Sequence, residues 1–420
     1  MNIMETRAVR LYGKKDLRLE RFELPDMRDD EILAEVMTDS LCMSTLKAVD
    51  NGADHKKVPD DVATHPVILG HEFCGRILKV GAAWKDKYQE GERFVIQPNI
   101  GDPRSYAPGY SFPYSGGDAT KILFHAQVMK NGSLLPYAGK AWFEGSLVEP
   151  LSCVTGAFHT NYHLRNQYSH EHVMGIRKHG NMALLGATGP MGFLAIDLAI
   201  HGDKRPRHLV VTGHTQEKLD LTRRLYPEAE AAAYGVELHY VNTRDMDDFS
   251  APLKALLPEG EGFDDVFVFV ANKAMSTQAV RCLGKDGCLN FFAGPLDKEF
   301  SAEMNFFDVH YNTTHLVGNS GGNTDDMKEA ISLIERGTVQ ANKIVSHIMG
   351  LDQVVDSTLQ LRSLPAGKKV VYTHLDMPRY SMEEIMNGAM GPKLAALVEQ
   401  HDGFWNADAE AYLLAHHKEY

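Results

Sequence analysis

Apolar and polar positions alternate in short runs through the first part of the chain, at Arg7–Leu11, Glu31–Val36 and Gly91–Ile96. A period of two marks a strand with one buried face. The stretch 98–117, rich in Gly, Pro, Ser and Tyr, reads as a long loop. Together these segments predict a half-buried antiparallel barrel. Near residue 155 the pattern changes. Short, almost wholly apolar runs at Met182–Leu185, Leu209–Thr212, Asp264–Val270, Cys288–Phe292 and His315–Gly318 are separated by segments of helical spacing. Strands apolar on both faces, alternating with helices, predict a parallel sheet covered on both sides. A helix over Asp325–Gly337 leads back toward the first domain, where Lys368–Tyr372 is expected to close the sheet. The segment 381–420 is helical in character, with Phe404, Trp405, Leu413 and Leu414 as docking residues or an oligomer contact.

The expected division is therefore 1–157 for the barrel, 158–322 for the parallel sheet, 323–375 for the return, and 376–420 for a helical C-terminal extension. Composition agrees with two globular domains: 420 residues, 44% hydrophobic and 24% charged. The net charge of -13 disfavours nucleic acid or an anionic membrane as main partner, because both need basic patches. Five cysteines, few and odd in number, argue against a disulfide framework and for a reducing compartment. Met1–Arg10 carries Glu5, Arg7 and Arg10 and lacks the apolar centre of a secretory signal. No apolar run reaches the roughly 18–20 residues needed to span a bilayer. The expectation is a soluble cytoplasmic protein.

Gly186-Ala187-Thr188-Gly189-Pro190-Met191-Gly192 stands between an expected strand and an expected helix. In that context a glycine-rich loop signals dinucleotide binding. Gly189 would let the backbone approach a pyrophosphate, Pro190 suits a first helical turn, and Gly192 permits close helix-to-strand packing. The loop has one more residue between its first glycines than the common GxGxxG form, which leaves Ala187 and Thr188 unplaced. The next strand ends in Thr212-Gly213-His214-Thr215, without the carboxylate that NAD sites place there for the ribose hydroxyls. His214, Lys218 and Arg223 are nearby donors, so the reading leans to NADP(H), with NAD(H) as the alternative.

A second constellation is discontinuous: Cys42, the pair His71-Glu72, and Glu149 in Glu149-Pro150. Structural zinc is usually held by clustered Cys and His, whereas catalytic zinc takes mixed ligands and keeps one position open. Only a fold can bring these residues together. In their contexts, Leu41–Thr45, Gly70–Gly75 and Val148–Ser152, the chain resembles the zinc-dependent medium-chain dehydrogenases, in particular the polyol dehydrogenase branch. That resemblance implies a GroES-like β-barrel catalytic domain followed by a Rossmann domain. It also implies one catalytic zinc on Cys42 and His71, with Glu72 and Glu149 binding directly or through water. No cysteine lies between Arg93 and Gly145, where many relatives carry four for a structural zinc, so one metal per chain is expected.

The stretches Asp54–Asp61, Ser105–Pro113, Trp142–Ser152, Gly287–Pro295 and Asn319–Met327 closely resemble the ketose-phosphate reductases of this group. The similarity is read over roughly residues 5 to 375, with the C-terminal extension outside it. It implies reduction of L-sorbose 1-phosphate to D-glucitol 6-phosphate, on zinc as Lewis acid, with hydride from a nicotinamide. Ser44 corresponds to the residue that passes a proton between the metal site and solvent, and Glu72 supports the same chemistry. Lys47 replaces the usual relay histidine, either to serve the relay or to attract the substrate phosphate; Lys56, Lys57 and Arg104 are further cations without a signature. Three alternatives stay open: a polyol or amino-alcohol dehydrogenase on an unphosphorylated substrate, a metal-free reductase that has no need of the ligand set, and a non-catalytic nucleotide-binding regulatory protein. A homo-oligomer, dimer or tetramer, is expected.

Overall fold

The computed structural model describes residues 4–258 and 260–417, which form two compact units. The first comprises Met1–Glu149, Asn323–Glu335 and Ala341–Tyr420, and the second Pro150–Gly322 with Arg336–Gln340. The division falls inside the continuous helix Val148–Thr160, whose first two residues, Val148 and Glu149, belong to the first unit.

The first unit is organised around the strand Ile32–Ser40. It pairs antiparallel with Cys74–Val80, with Lys121–Phe124 and, through its last residues, with Lys368–Tyr372. Arg93–Ile96 and Leu134–Pro136 extend the sheet on one side, Val345–Gly350 and Tyr380–Ser381 on the other. A three-stranded sheet of Asp16–Glu23, Glu5–Gly13 and Val67–Ile68 stands beside it. It is joined through Val9 N donating to Asp118 O at 2.8 Å and Thr120 N to Arg7 O at 2.9 Å. The alternation seen in the sequence turns Ala8, Ile32, Ala34, Val36, Ile77 and Ile122 into one interior. There Phe94 meets Phe73 and Phe124 edge to face at 6.1 and 5.1 Å. Such ring pairs add to area burial and hold a barrel interior in one arrangement.

The second unit holds a six-stranded sheet, labelled here β1 (Asn181–Leu185), β2 (His208–Gly213), β3 (Glu237–Asn242), β4 (Phe263–Val268), β5 (Leu283–Phe291) and β6 (His315–Val317). All neighbours are parallel, in the order β3-β2-β1-β4-β5-β6. This is the doubly wound nucleotide-binding order, in which the crevice opens where the winding reverses, beyond the C-terminal ends of β1 and β4. Every residue of β1 and β2 is buried, as the unbroken apolar runs predict. Among the described residues no helix is long and apolar enough to cross a membrane.

The C-terminal segment is part of the first unit and forms helices Met382–Met386, Pro392–Glu399 and Ala407–His416. Trp405 and Leu413 are fully buried, while Phe404 and Leu414 are half-buried. The decisive residue is Glu410, which has no apolar signature in the sequence. Its buried carboxylate accepts from the backbone N–H groups of Trp142 at 2.6 Å and Phe143 at 2.8 Å, and from the Tyr372 hydroxyl at 2.9 Å. Trp405 Nε1 donates to the same hydroxyl at 2.7 Å. Removing the carboxylate strands three buried donors at once. Glu410→Ala is therefore expected to lower stability by on the order of 3 kcal/mol or more, read as a shift of the urea unfolding midpoint; an unchanged midpoint would show the latch to be dispensable.

Candidate metal centre and cofactor loop

Strand Ile32–Ser40 delivers Cys42 to the N-cap of the helix Met43–Asn51. The cap makes no side-chain bond to the helix, so Sγ is directed elsewhere. Ser44 Oγ donates to it at 3.0 Å. His71 and Glu72 lie between strands Val67–Ile68 and Cys74–Val80, just after Gly70, which has φ +84°. A Cβ on Gly70 would stand 2.1 Å from Asp39 Oδ2 and 2.6 Å from Asp118 N, so the glycine is required by close approach as well as by backbone angle. The ligand atoms of Cys42, His71 and Glu72 all lie within 4.8 Å of one another.

Around this trio the polar partners are specific. His71 Nδ1 faces Thr45 Oγ1 at 3.1 Å, and Nε2 faces both Ser44 Oγ and the Tyr110 hydroxyl at 3.1 Å. Tyr110 donates to Ser44 Oγ at 2.9 Å. Glu72 is gripped from the other side. Lys368 Nζ donates to both of its carboxylate oxygens at 2.5 Å, Ser40 Oγ donates to one of them, and its backbone N–H donates to Asp39 Oδ1 at 3.1 Å. Lys368 and Glu72 are both almost wholly buried. Glu149, in the first turn of Val148–Thr160, is outside the trio but close enough for its charge to act on Cys42, Tyr110 and Lys368.

The electrostatics follow from burial. Desolvation, then the Glu72 charge, push the Cys42 thiol up to about 12. Desolvation, aided by Lys57 and Lys368, holds His71 well below the usual imidazole range, so the ring is neutral. Burial works against the Lys368 ammonium, but Glu72 and Cys42 outweigh it and raise its pKa. Asp39 and Asp118 lie side by side, and burial, then the neighbouring Asp118 charge, push the Asp39 carboxyl well above the usual carboxylate range. This donor set fits a soft divalent cation. A neutral imidazole is ready to ligate, and a buried thiol beside a carboxylate loses its proton only when a cation takes the proton's place.

A second basic feature borders the trio. Lys57 Nζ sits 4.6 Å from the centre of the Tyr110 ring, and His55 stacks on the same ring at 6.1 Å. Burial, then the charges of Lys57, Lys56 and Lys47, depress the His55 pKa to about 4. Lys47 is half-buried on helix Met43–Asn51. Arg104 is instead committed to Asp102 at 3.0 Å and to the Tyr106 ring at 4.2 Å.

In the second unit the glycine loop joins β1 to the helix Pro190–His201. Gly186, at φ +71°, donates to Thr212 Oγ1 at 3.0 Å, and Ala187 is buried and donates to Thr212 O at 3.1 Å. A Cβ on Gly192 would lie 2.2 Å from Ala187 O, whereas one on Gly189 would meet nothing within 4 Å. Gly192 is thus set by packing, and Gly189 faces open space at the helix N-terminus, with Pro190 in the first turn and Met191 half-buried behind it. Thr188 packs its methyl toward Gly213, where a Cβ would come within 2.6 Å. His214 and Lys218 are exposed beyond the end of β2. Thr243 N donates to Gly213 O at 2.9 Å, which brings exposed Arg244 beside the same strand end.

Two family models match, the alcohol dehydrogenase GroES-like domain over residues 28–130 and the zinc-binding dehydrogenase model over 190–336. Over 412 residues the chain is 54% identical to L-sorbose 1-phosphate reductase of Klebsiella pneumoniae, covering 98% of each protein. The chain belongs to the zinc-binding alcohol dehydrogenase family. A second relative, mannitol-1-phosphate 5-dehydrogenase of Aliivibrio fischeri, is 42% identical over 414 residues, 98% of this chain and 97% of that protein. The crystal structure of 2R,3R-butanediol dehydrogenase from Bacillus subtilis shares the fold at a TM-score of 0.70 and 20% identity, covering 88% of this chain and 99% of that one. This zinc-dependent dehydrogenase is an enzyme of the alcohol and polyol oxidoreductase type. The C-terminal helices, expected to lie outside the resemblance, fall within it, because a match over 98% of the chain leaves room for few unmatched residues.

Sequence reasoning missed Lys368, Tyr110 and Arg244. Tyr110 lay unmarked in a loop rich in tyrosines, and Lys368 in a strand read only as closing the sheet. For Lys368 a signal was available, since two adjacent lysines opening a strand expected to lie in the sheet leave one facing inward, where it calls for a buried anion. Lys368→Met leaves the Glu72 carboxylate buried without its cation and is expected to cost about 3–5 kcal/mol. Pairing it with Glu72→Gln should recover most of that loss in denaturant unfolding; equal losses in the single and double variants would refute the coupling.

Proposed function

We propose that this enzyme reduces a phosphorylated ketose with a nicotinamide cofactor, the substrate being L-sorbose 1-phosphate and the product D-glucitol 6-phosphate. The observation that carries the reading is the convergence of Cys42, His71 and Glu72 beside a cluster of lysines, in a chain 54% identical to a reductase of that name. One catalytic zinc per chain is held by Cys42 and His71, with Glu149 as the third protein ligand. Glu72, both of whose oxygens are engaged by Lys368, balances charge behind the metal. A zinc ion bound there supplies Lewis-acid polarisation of a carbonyl.

The reduced carbonyl also needs a proton on its oxygen. Ser44 stands against both Cys42 and His71 and receives the Tyr110 hydroxyl bond, so Ser44 and Tyr110 form the proton path from that site. His55 and Lys57, packed on the Tyr110 ring, flank the path in the region where a relay histidine is replaced by Lys47. Lys57, with Lys47 and Lys56, forms the phosphate-recognising arc; Arg104 is bound to Asp102 and is left out of it. The absence of a carboxylate at the end of β2, with His214, Lys218 and Arg244 near it, supports NADP(H) over NAD(H). The mannitol-1-phosphate relative supports a second reading of the same site, another hexulose phosphate of different stereochemistry. The five free cysteines support a reducing, cytoplasmic setting.

The test is steady-state kinetics of the zinc-loaded enzyme on ketose 1-phosphates and free ketoses with both nicotinamides. The phosphorylated substrate and NADPH are expected to be preferred. Cys42→Ala and His71→Ala should each lose bound zinc and on the order of a thousandfold or more in kcat/KM. Lys57→Ala should raise KM for the phosphorylated ketose about tenfold or more beyond any change seen with the free ketose. Metal-free turnover, or equal use of the free sugar, would contradict the reading.

Oligomer formation is supported by a run of exposed apolar side chains on the second unit: Phe306, Phe307 and Tyr311 on the helix Phe306–Tyr311, with Leu316 on β6 at the edge of the sheet. Light scattering should give a dimer or tetramer, and Phe307→Glu should dissociate it. A monomeric parent at micromolar concentration would exclude this surface as an interface.

A further inference from the structure

The edge strand β3 begins Glu237-Leu238-His239, and its neighbour β2 begins with His208. Glu237 and His239 are two apart, so their side chains leave the same face of the sheet. His208 is the register partner of Glu237 across the parallel pair, and Val210 is the partner of His239. Further along, the same face carries Val210 and Val241 into the apolar core of this unit. At the strands' N-terminal ends the core runs out, and three ligating side chains take its place. This is the opposite end of the sheet from the glycine loop after β1.

The ligand atoms of His208, Glu237 and His239 all lie within 4.8 Å of one another. His239 Nε2 is 3.0 Å from Glu237 Oε1, and His208 Nδ1 is 3.4 Å from Glu237 Oε2. Ligands about 2.0–2.1 Å from a tetrahedral zinc stand roughly 3.4 Å apart, so small side-chain rotations bring all three to one ion. His208 supplies the independent pointer. It is only 7% exposed, and its Nδ1 is sealed from water and makes no hydrogen bond although a carboxylate faces it. A buried ring nitrogen without a partner is costly, and an ion between it and the carboxylate would satisfy both. Burial depresses the His208 pKa more than Glu237 raises it, which leaves the ring neutral and able to ligate. Glu237 is 60% exposed in its side chain, so one side of the cluster is open to a water ligand.

We infer that His208, Glu237 and His239 form a second metal site, separate from the Cys42–His71 centre, that takes a divalent first-row transition ion such as Zn2+ and clasps the edge strand β3 to β2. Two imidazoles and one carboxylate suit zinc, cobalt, nickel or copper, and disfavour magnesium and calcium, which require oxygen ligands. Its role is structural. An ion bound only by the folded sheet stabilises it by mass action and holds down a strand that has one free edge.

The inference does not depend on the substrate assigned above, and its test keeps the two apart. The full-length zinc-loaded enzyme, passed over a chelating resin to strip loosely held metal, is titrated with Co2+ and followed by absorption and metal analysis. One further ion per chain is expected, with ligand-field bands but no thiolate-to-cobalt charge transfer, since the site contains no sulfur; cobalt exchanged into the Cys42 site shows that band. Added ion should also raise the thermal unfolding temperature. His239→Ala and Glu237→Gln, both at the surface, should each weaken the extra binding at least about tenfold, with turnover and far-ultraviolet dichroism unchanged. His208→Ala should behave likewise, and if it fails to fold the two surface variants decide the question. No ion beyond the one held with Cys42, or unchanged uptake in His239→Ala and Glu237→Gln, would overturn the site.

Discussion

The buried pair of Lys368 and Glu72 is the constraint on which the candidate metal centre depends. Lys368 opens the strand Lys368–Tyr372, which the chain reaches only after completing the second unit. That strand pairs with the end of Ile32–Ser40, and Lys369 O receives the N–H of Leu41, the residue before Cys42. The ammonium then reaches across to the carboxylate beside His71. The ion pair joins the returning strand to the turn that delivers the histidine, and the bonds from Ser40 Oγ to Glu72 and from Leu41 N to Lys369 O tie in the strand that delivers the cysteine. Buried pairs are seldom a net gain over apolar packing, but breaking one is severe, so this contact specifies geometry more than it adds stability.

A second layer comes from loop closure. The loop before Lys121–Phe124 passes close to Gly70, where Gly117 N donates to Gly70 O at 2.7 Å and a Cβ on Gly109 would lie 2.0 Å from the same oxygen. Glycines at these crossings let the loop press Tyr110 against His71 and Ser44. The tyrosine in turn carries His55 and Lys57 on its ring, so hydroxyl, imidazole and ammonium are ordered by one aromatic plate. The same loop contributes Asp118, which with Asp39 forms the buried carboxyl pair beneath the backbone of Glu72.

The C-terminal helices extend this logic away from the centre. Glu410 caps the helix Trp142–Gly145 through two backbone N–H groups and holds Tyr372 at the far end of the strand that Lys368 begins. The segment therefore braces the returning strand from behind, which is consistent with its retention across relatives matched over 98% of the chain. In the second unit, position matters in a different way. The glycine loop owes its shape to contacts within one β1-turn-helix unit and the neighbouring β2, a local arrangement.

What was legible in the sequence was whatever rests on period and short-range context. Alternation announced Glu5–Gly13 and Ile32–Ser40, unbroken apolar runs announced β1 and β2, and the glycines of 186–192 announced a tight turn between strand and helix. The contexts of Cys42 and of His71-Glu72 were enough to nominate them, and the fold brings their ligand atoms together. Beyond that, sequence spacing is silent. It could not pair Lys368 with Glu72, separate Glu149 from the trio, bring Tyr110 to His71, or oppose His208 to Glu237, because each contact joins residues whose neighbours along the chain carry no trace of the partner. Periodicity reports which face of an element is buried, whereas charge pairing across strands depends on register and on where a distant segment returns, and only the folded chain sets those.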